Sequence, residues 1–269
     1  MLRTEDVKNF AREIRVDLIG IADIERFNDI PPEHNPLSIF PETRSVIVIG
    51  RRIPRGALRG IEEGTQFANY SLYGRDWLNN RILAMSTFKV SEFLEDNGWE
   101  AVPVPNLPPE VPPSGIPVRE GQPAPNVMID IEDAAIKAGL GEIGHCGFFL
   151  TPEFGPRQRF QIILTDLRLD PDPLFNGKVC DYPSCQSFCP LNAITAAGVI
   201  DYKKCNICEN GVFPNPYHSS GKPDRLGAIC ARSCLDYLER HNLIKNTFQN
   251  PFRKRPSWKV VSERRIEEG

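Results

Sequence analysis

The distribution of cysteines constrains this chain more than any other feature of its sequence. Seven of the eight cysteines lie in the last third of the 269 residues, within a stretch of 55 positions. Their spacings are Cys180-x4-Cys185-x3-Cys189-Pro190, then Cys205-x2-Cys208, then Cys230-x3-Cys234. In a reducing compartment, cysteines clustered in this way are metal ligands more often than disulfides.

The proline after Cys189 distinguishes two kinds of metal site. Zinc sites use C-x2-C pairs, but they do not require a proline after a cysteine or x3 spacings beside x2 spacings. Bacterial two-cluster ferredoxins have both, because three closely spaced cysteines bind one cluster and the fourth, before the proline, binds the other. We therefore predict two iron–sulfur clusters, and structural zinc is the alternative.

The same pattern divides the cysteines between the two clusters. One 4Fe-4S cluster receives four ligands: Cys189, Cys205, Cys208 and Cys230. The other receives Cys180, Cys185 and Cys234, and is one ligand short because Tyr182 stands where the usual middle ligand falls. A 3Fe-4S cluster would satisfy this count, as would a fourth ligand from Cys146, a histidine or water.

Composition and charge exclude several classes of protein. The chain is 41% hydrophobic and 25% charged, which is ordinary for a protein with an apolar core. Its formal net charge of -3 argues against a protein that binds polyanions by neutralising phosphates. No apolar run approaches the ~20 residues of a membrane span, and the N-terminus lacks the apolar stretch of a signal peptide. We expect a cytoplasmic protein that does not bind membranes.

Hydrophobic periodicity predicts alternating helices and strands before the cysteines. We predict helices over 4–15, with Thr4 as N-cap, over 73–97 and over 132–138, and strands over 17–22, 44–50, 101–104, 126–130 and 161–167. The apolar face of the long helix is predicted from its spacing to be Leu78, Ile82, Met85, Phe88, Val90 and Phe93. Nine prolines make 103–125 a stiff loop that is neither helix nor central strand.

These elements predict a core domain over 1–170, a cysteine-bearing domain over 171–245 and a C-terminal tail over 246–269. The basic residues Arg253, Lys254 and Arg255, with Lys259 and Arg264-Arg265 after them, are interpreted as part of a solvated tail.

A glycine-rich segment, Gly139-Leu-Gly-Glu-Ile-Gly144, matches G-x-G-x-x-G. A dinucleotide-binding fingerprint must follow a strand and open a helix, whereas this segment follows the predicted helix 132–138. Two interpretations are left: a helix C-cap followed by a turn, or a loop whose backbone lies against a large cofactor.

At this point the sequence resembles a known family. The segments that carry the resemblance are 134–144 and 148–155, then Leu164-Thr-Asp166 and the ferredoxin-type cysteines. Together they resemble the epoxyqueuosine reductases and their relatives, the reductive dehalogenases. The segments 45–50, 70–76 and 95–102 are similar in order and spacing, so the resemblance covers roughly residues 5–240.

The resemblance implies an α+β fold, in which a nitroreductase-like α/β core is followed by a two-cluster ferredoxin-like domain. It implies that the core holds a base-off corrinoid (cobalamin), and that an external low-potential donor reduces the cobalt through the clusters. It also implies that Gly139, Gly141 and Gly144 line the cofactor pocket, with His145 beside them. We expect an oxidoreductase that performs a reductive step on a small molecule. The alternatives are an electron-transfer or corrinoid-reducing partner protein and a relative that uses flavin (FMN).

The chain departs from the family in three places. His145-Cys146 replaces the Lys-Asn that often follows the glycine loop. The family's acidic proton donor follows the strand matching 101–104, where this chain has Pro105-Asn106. The sequence also has no counterpart of the C-terminal domain that helps epoxyqueuosine reductase hold tRNA, so we do not expect a tRNA substrate.

Further candidate residues flank the glycine loop and the long helix. Tyr73, Arg75 and Asp76 are candidate catalytic residues, because a tyrosine can donate a proton and a neighbouring arginine can stabilise the anion left behind. The alternative is that Asp76 caps the helix and the tyrosine packs. Arg157 and Arg159 could bind the phosphate or amide groups of a corrinoid, or be ordinary surface arginines. Cys146 is a cluster ligand, a residue near cobalt or a small core residue.

Overall fold

The computed structural model describes residues 2–105, 115–180, 184–196, 198–213 and 222–258. They divide into two compact units of non-contiguous segments. The first, called here the sheet unit, comprises Met1–Ile53, Arg75–Glu142 and Gln158–Lys178. The second, the cysteine unit, comprises Pro54–Gly74, Ile143–Arg157 and Val179–Gly269. This division differs from the predicted boundary at 170, because two earlier segments join the cysteines.

The helices and strands follow one another along the chain as follows. The helices are α1 (Thr4–Glu13), α2 (Arg59–Glu63), α3 (Ala84–Asp96), α4 (Ile131–Lys137), α5 (Ser184–Ser187), α6 (Tyr202–Asn206) and α7 (Ile229–Arg240). The strands are β1 (Leu18–Asp23), β2 (Ser45–Arg52), β3 (Ala101–Val104), β4 (Glu142–Ile143), β5 (Phe149–Leu150), β6 (Gln158–Thr165), β7 (Ile194–Ala196) and β8 (Val199–Ile200). No helix within the described ranges is long and apolar enough to cross a membrane.

A four-stranded antiparallel sheet in the order β1-β2-β6-β3 forms the centre of the sheet unit. Strand β2 is buried from Ser45 to Gly50, which is why its sequence is a continuous apolar run instead of an alternating one. On one face, Ile47 and its β6 partner Ile163 join a core formed with α1 and α3. Helix α4 contacts β1, β2 and β6. The predicted strands at 17–22, 44–50, 101–104 and 161–167 are confirmed within three residues at each end.

The N-cap of helix α1 lies one residue earlier than predicted. Arg3 is the N-cap, and its backbone N–H donates to the Asp6 carboxylate over 3.0 Å while its Nε donates to the same oxygen over 3.1 Å. The hydroxyl of Thr4 instead accepts a hydrogen bond from the backbone N–H of Asp170, over 2.7 Å. The prediction of Thr4 as N-cap was wrong because this side chain makes a tertiary contact.

The long helix predicted over 73–97 begins with two π-helical stretches, Tyr70–Asp76 and Leu78–Leu83, and continues as α3. A π-helix closes its hydrogen bonds at i→i+5, so the buried face rotates away from the one that regular helical spacing predicts. Three residues of the predicted apolar face are 41%, 55% and 52% exposed: Ile82, Met85 and Phe88. Leu78 and Val90 of the predicted face are buried as expected, and they are joined by two fully buried residues that were not predicted, Leu83 and Leu94.

The segment 126–130 is irregular, although a strand was predicted there. Asn126 has a φ of +68°, which interrupts an extended conformation. Asp130 then caps α4, since its Oδ1 accepts hydrogen bonds from the backbone N–H groups of Glu132 and Asp133 over 2.9 and 3.1 Å. Of the proline-rich loop, residues 106–114 lie outside the described residues, and 115–125 form mostly exposed turns.

A buried carboxylate forms ion pairs that link separate segments of the cysteine unit. Glu62 of α2 accepts hydrogen bonds from Arg232 of α7 and from Arg253. Phe252, beside Arg253, is buried as well. The prediction that Arg253 lies in a solvated tail was therefore wrong, because its charge is paired inside the unit. The basic residues after Trp258 lie outside the described residues, Lys259, Arg264 and Arg265 among them.

Candidate metal centre

All eight cysteines are free thiols, and all belong to the cysteine unit. Their mutual contacts and charges group them into two sets of four. The first cysteine set consists of Cys189, Cys205, Cys208 and Cys230. The second cysteine set consists of Cys146, Cys180, Cys185 and Cys234.

In the first cysteine set, Cys205 lies on α6 and Cys230 lies at the beginning of α7. Burial raises the pKa of the Cys205 and Cys208 thiols, and it raises the pKa of Cys230 to about 12. The charge of Cys189 raises all three of these pKa values further, which places its sulfur close to the other three. The sulfur of Cys189 accepts the backbone N–H of Ala193 over 3.2 Å. Four thiols that share one region in this way are a suitable donor set for a metal group with thiolate ligands.

The second cysteine set centres on Cys146. Its thiol hydrogen-bonds with those of Cys185 and Cys234. The bond with Cys185 lowers the pKa of Cys146, but the bond with Cys234 and burial together leave that pKa well above its usual range. Cys180 lies beside His145, the residue that precedes Cys146, since the Cys180 sulfur accepts the backbone N–H of His145 over 3.2 Å. The structure thus brings Cys146 together with the three cysteines of the predicted second cluster.

Two pairs of cysteines, Cys185/Cys189 and Cys230/Cys234, have one member in each set. The two members of each pair are four positions apart, and residues four positions apart on a helix such as α7 lie on the same side. The charge of Cys230 also acts on Cys146 across the two sets. This crosswise arrangement is typical of proteins with two clusters, in which one short segment supplies ligands to both. The position of Tyr182 falls outside the described residues.

No three histidine, cysteine, aspartate or glutamate side chains within the described ranges are arranged to bind a single metal ion. Each thiolate of a 4Fe-4S cluster binds a different iron, so cluster ligands do not have to converge on one point.

Sequence reasoning missed one residue of this region, Arg225. Its side chain is buried, and its Nη2 donates to the carbonyl oxygens of Cys146 and Gly147 over 2.9 and 3.1 Å. The guanidinium carbon lies 4.3 Å from the centre of the Phe148 ring and 5.3 Å from that of Tyr202. The only signal in the sequence is a basic residue five positions before Cys230, which has no pattern of its own.

The glycine loop is shared between the two units. Gly139 and Gly141 belong to the sheet unit, and Gly144 and His145 to the cysteine unit. Gly139 has a φ of +73°, and a Cβ there would lie 2.1 Å from the carbonyl oxygen of Pro173. A Cβ at Gly144 would lie 2.7 Å from the side chain of Leu150. Contacts within the chain therefore require a glycine at 139, whereas at 144 a shift of the Leu150 side chain would make room for a Cβ. The C-cap interpretation fits Gly139, which follows α4.

His145 lies beside the second cysteine set. Its Nε2 is 3.4 Å from the side-chain oxygen of Gln186, next to Cys185. Its carbonyl oxygen accepts the backbone N–H of Gly198. The structure thus brings this candidate residue to the thiols.

The candidate catalytic residues lie at the π-helical turn. Tyr73 is 46% exposed and belongs to the cysteine unit. Arg75 and Asp76 belong to the sheet unit and form an ion pair over 3.7 Å. Tyr70, by contrast, is fully buried, and its hydroxyl donates to Asp224 over 2.7 Å. Tyr73 therefore has an accessible hydroxyl-bearing side chain, while Tyr70 has a structural role.

The two candidate arginines after the glycine loop have different surroundings. Arg157 is 1% exposed, and its Nη2 donates to the side-chain oxygen of Asn246 over 2.6 Å. It also lies over the ring of Phe248. Arg159 is half-buried in strand β6, opposite Arg51 of β2. Arg157 is thus a buried arginine whose side chain is held by contacts within the cysteine unit.

Comparisons with known proteins find similarity to two kinds of reductase. No family model matches it. It is 30% identical over 135 residues to a tetrachloroethene reductive dehalogenase of Desulfitobacterium hafniense, covering 48% of this chain and 21% of the relative. It is 24% identical over 237 residues to an epoxyqueuosine reductase of Bacillus cereus, covering 75% of this chain and 54% of the relative. The chain thus spans about a fifth of the first relative and about half of the second.

A solved structure agrees in fold. An epoxyqueuosine reductase in complex with an epoxyqueuosine-modified tRNA stem loop superimposes with a TM-score of 0.53 at 17% identity, over 75% of this chain and 55% of the other. The mixed α+β fold is thereby confirmed. The chain resembles both the epoxyqueuosine reductases and the reductive dehalogenases, as its glycine and cysteine segments indicate. Because one of these relatives has been seen with tRNA, the expectation that this chain does not use tRNA is not confirmed.

Proposed function

We propose that this chain is an iron–sulfur oxidoreductase whose cysteine unit holds two clusters that relay electrons to a reductive step on a small molecule. The observation that carries the proposal is the grouping of eight thiols into two sets of four in one unit. The resemblance to two families of reductases supports the same conclusion.

The donor chemistry fits iron–sulfur clusters. Both sets consist of cysteine alone, and several of their sulfurs accept backbone N–H groups, as at Cys180 and Cys189. Hydrogen bonds to sulfur and shielding from solvent are the features by which a protein adjusts the potential of such a cluster. The buried Nη1 of Arg225, which has no nitrogen or oxygen partner among the described residues, supplies a positive charge beside the thiols. When bound, each cluster would accept and pass on single electrons.

We further propose that Cys146 is the fourth ligand of the second cluster. This makes both clusters 4Fe-4S and removes the need for a three-iron form or for a ligand other than cysteine. The proposal is supported by the hydrogen bonds of the Cys146 thiol with Cys185 and Cys234. It also explains why a cysteine outside the main cysteine stretch is buried at this place.

A corrinoid is proposed from the resemblance alone. Of the loop glycines, Gly139 is already required by its contact with the backbone of Pro173, and Gly144 packs against the side chain of Leu150. Arg157 already binds Asn246. The described contacts of these residues therefore do not speak for a cofactor, and no catalytic step is derived through one. Within the proposal, Tyr73 is the candidate proton donor because its side chain is accessible.

The same observation favours a second candidate function, electron transfer to a partner protein. A chain whose candidate cofactor residues serve internal packing could hold two clusters and pass electrons onward without its own substrate. The absorption spectrum of anaerobically purified protein separates the two, since corrinoid bands, flavin bands and broad iron–sulfur absorbance alone are different results. A corrinoid favours the reductase, and clusters alone favour electron transfer.

Cysteine substitutions test the cluster proposal. We expect wild-type protein reconstituted without oxygen to hold about eight irons and about eight acid-labile sulfides. In Cys146→Ala the second cluster should lose iron or convert to a three-iron form with a new paramagnetic resonance signal. In Cys189→Ala the first cluster should be damaged instead.

Ser233→Ala is the matched control, because Ser233 is a buried side chain on α7 between the two cysteines of that helix. It should retain both clusters. Stoichiometric zinc without acid-labile sulfide in the wild type would refute the cluster proposal. Unchanged iron and spectra in Cys146→Ala would refute only the fourth ligand.

A further inference from the structure

We propose that Arg225 sets the order in which the two clusters are reduced, by raising the reduction potential of the cluster held by the first cysteine set. The inference rests on the proposed function, since it requires clusters at both sets. It concerns a residue that the cysteine pattern does not point to.

The position of Arg225 between the two sets is the first observation. Its Nη2 is fixed by the carbonyl oxygens of Cys146 and Gly147, in the segment that supplies a thiol to the second set. The guanidinium also lies beside the thiols of Cys205 and Cys230 in the first set, where its positive charge opposes the effect of burial. One cation therefore holds the backbone of the second set and acts most strongly on two sulfurs of the first.

Burial makes this charge effective. Arg225 is 4% exposed and lies against the ring faces of Phe148 and Tyr202, so water does not screen it. Its Nη1 is buried and has no nitrogen or oxygen partner within the described ranges. An arginine in such surroundings stays protonated, and a donor left without an acceptor is costly unless an anionic group satisfies it. The thiolates and sulfides of a cluster are such a group.

The other charges near the first set do not cancel this effect. Glu209 acts on Cys208, but its side chain is exposed, and solvent screens exposed charges. Arg232 also acts on Cys208, but Glu62 neutralises it through a direct ion pair. Arg225 has no carboxylate partner among the described residues, so no ion pair neutralises its positive charge, which can act on the cluster.

The redox step itself is simple. One electron from a low-potential one-electron donor enters the cluster, the cluster gains one negative charge, and no bond or proton is transferred. A fixed positive charge nearby stabilises the reduced form more than the oxidised form, so it raises the potential. Because the charge of Arg225 acts on two sulfurs of the first set, those of Cys230 and Cys205, and less strongly on the Cys146 sulfur of the second, the first cluster gains more and is reduced first.

Four variants of the full chain, reconstituted without oxygen, separate this charge effect from a structural role. Arg225→Lys keeps the charge, whereas Arg225→Gln and Arg225→Met remove it, and the amide of Gln can still donate to one carbonyl. Arg240→Met is the matched control, since it removes the same charge from the exposed end of α7, where Arg240 pairs with Asp236. The readout is a reductive titration in which paramagnetic resonance follows each cluster.

We expect the neutral variants to bind both clusters and to shift the equilibrium for reduction of the first cluster at least tenfold toward the oxidised form. For one electron this is a shift of about 59 mV to more negative potential. The second cluster should shift less, and Arg225→Lys and Arg240→Met should stay within twofold of the wild type.

Three results would overturn the inference. The neutral variants could keep the wild-type potential at the first cluster, or the lysine variant could shift as far as the neutral ones. Loss of both clusters from the lysine and neutral variants alike would assign Arg225 to holding the fold. Failure of the wild type to assemble any cluster is a different result, because it refutes the proposed function itself.

Discussion

Neutralising Glu62 is expected to destabilise the cysteine unit strongly. Glu62 is buried between Arg232, which has no exposed surface, and Arg253, which is mostly buried. Glu62→Gln keeps the shape of the side chain but leaves two buried cations without a carboxylate. Burial already lowers the pKa of Arg232, and Glu62 opposes that effect. The substitution therefore removes the main group that stabilises the charge of Arg232.

The size of the effect follows from this geometry. Removing one partner of a buried ion pair costs about 3–5 kcal/mol. Arg232 keeps its hydrogen bonds to Asn210 and to the carbonyl oxygen of Gly227, so the lower end, about 3 kcal/mol, applies. At about 2–4 °C per kcal/mol for a chain of 150–250 residues, the Tm should fall by roughly 6–12 °C.

Thermal unfolding of cluster-loaded protein, followed by circular dichroism under anaerobic conditions, measures this fall. Glu153→Gln is the control, because Glu153 pairs with Lys245 over 2.8 Å at the surface, where such a pair contributes about 1 kcal/mol or less. A Tm of Glu62→Gln within 2 °C of the control would refute the reasoning.

Two further predictions concern the sheet unit. Leu94→Ala should lower the free energy of unfolding by about 2–5 kcal/mol because Leu94 is fully buried, whereas Phe88→Ala should change it by less than about 0.5 kcal/mol because Phe88 is exposed. Urea denaturation measures both, and equal losses would contradict the assignment of the buried face. Gly139→Ala should cost at least about 1–2 kcal/mol for its left-handed backbone, more where the added Cβ displaces Pro173; an unchanged Tm would contradict it.

The sequence predicts the sheet well, for a physical reason. A strand covered on both faces is expected to be apolar at nearly every position, and 46–50 is such a run. The glycine after α4 likewise marks the end of a helix, because Gly139 adopts the positive φ that a C-terminal cap requires. These signals are local, so they can be identified without the rest of the structure.

The buried face of the long helix could not be predicted in the same way. Its apolar residues follow a regular spacing, but the π-helical turns before α3 change the number of residues per turn. The turns at 70–83 depend on tertiary contacts such as the hydrogen bond from Tyr70 to Asp224, 154 positions away. Periodicity alone contains no information about such contacts.

The boundary between the two units also depends on tertiary contacts that local sequence patterns do not show. Segment 54–74 shows no cysteine and no ferredoxin-like spacing, yet it belongs to the cysteine unit. Its contribution is Glu62, whose carboxylate pairs with Arg232 on the helix that carries Cys230 and Cys234. A single acidic residue in a short helix gives no sequence signal of a partner 170 positions away.

At the candidate metal centre, cysteine spacing predicts seven of the proposed ligands, whereas the eighth is indicated by tertiary contacts. Spacing alone separates the ligands of the two proposed clusters, because cysteines on one short segment must point to two places. It leaves the second set one ligand short, and we propose Cys146 for that position because its thiol lies against those of Cys185 and Cys234. The same segment binds Arg225 through the carbonyl of Cys146. The segment around Cys146 thus carries the proposed fourth thiol and also binds a buried cation. Substitutions at Cys146 and at Arg225 therefore both affect this one backbone segment.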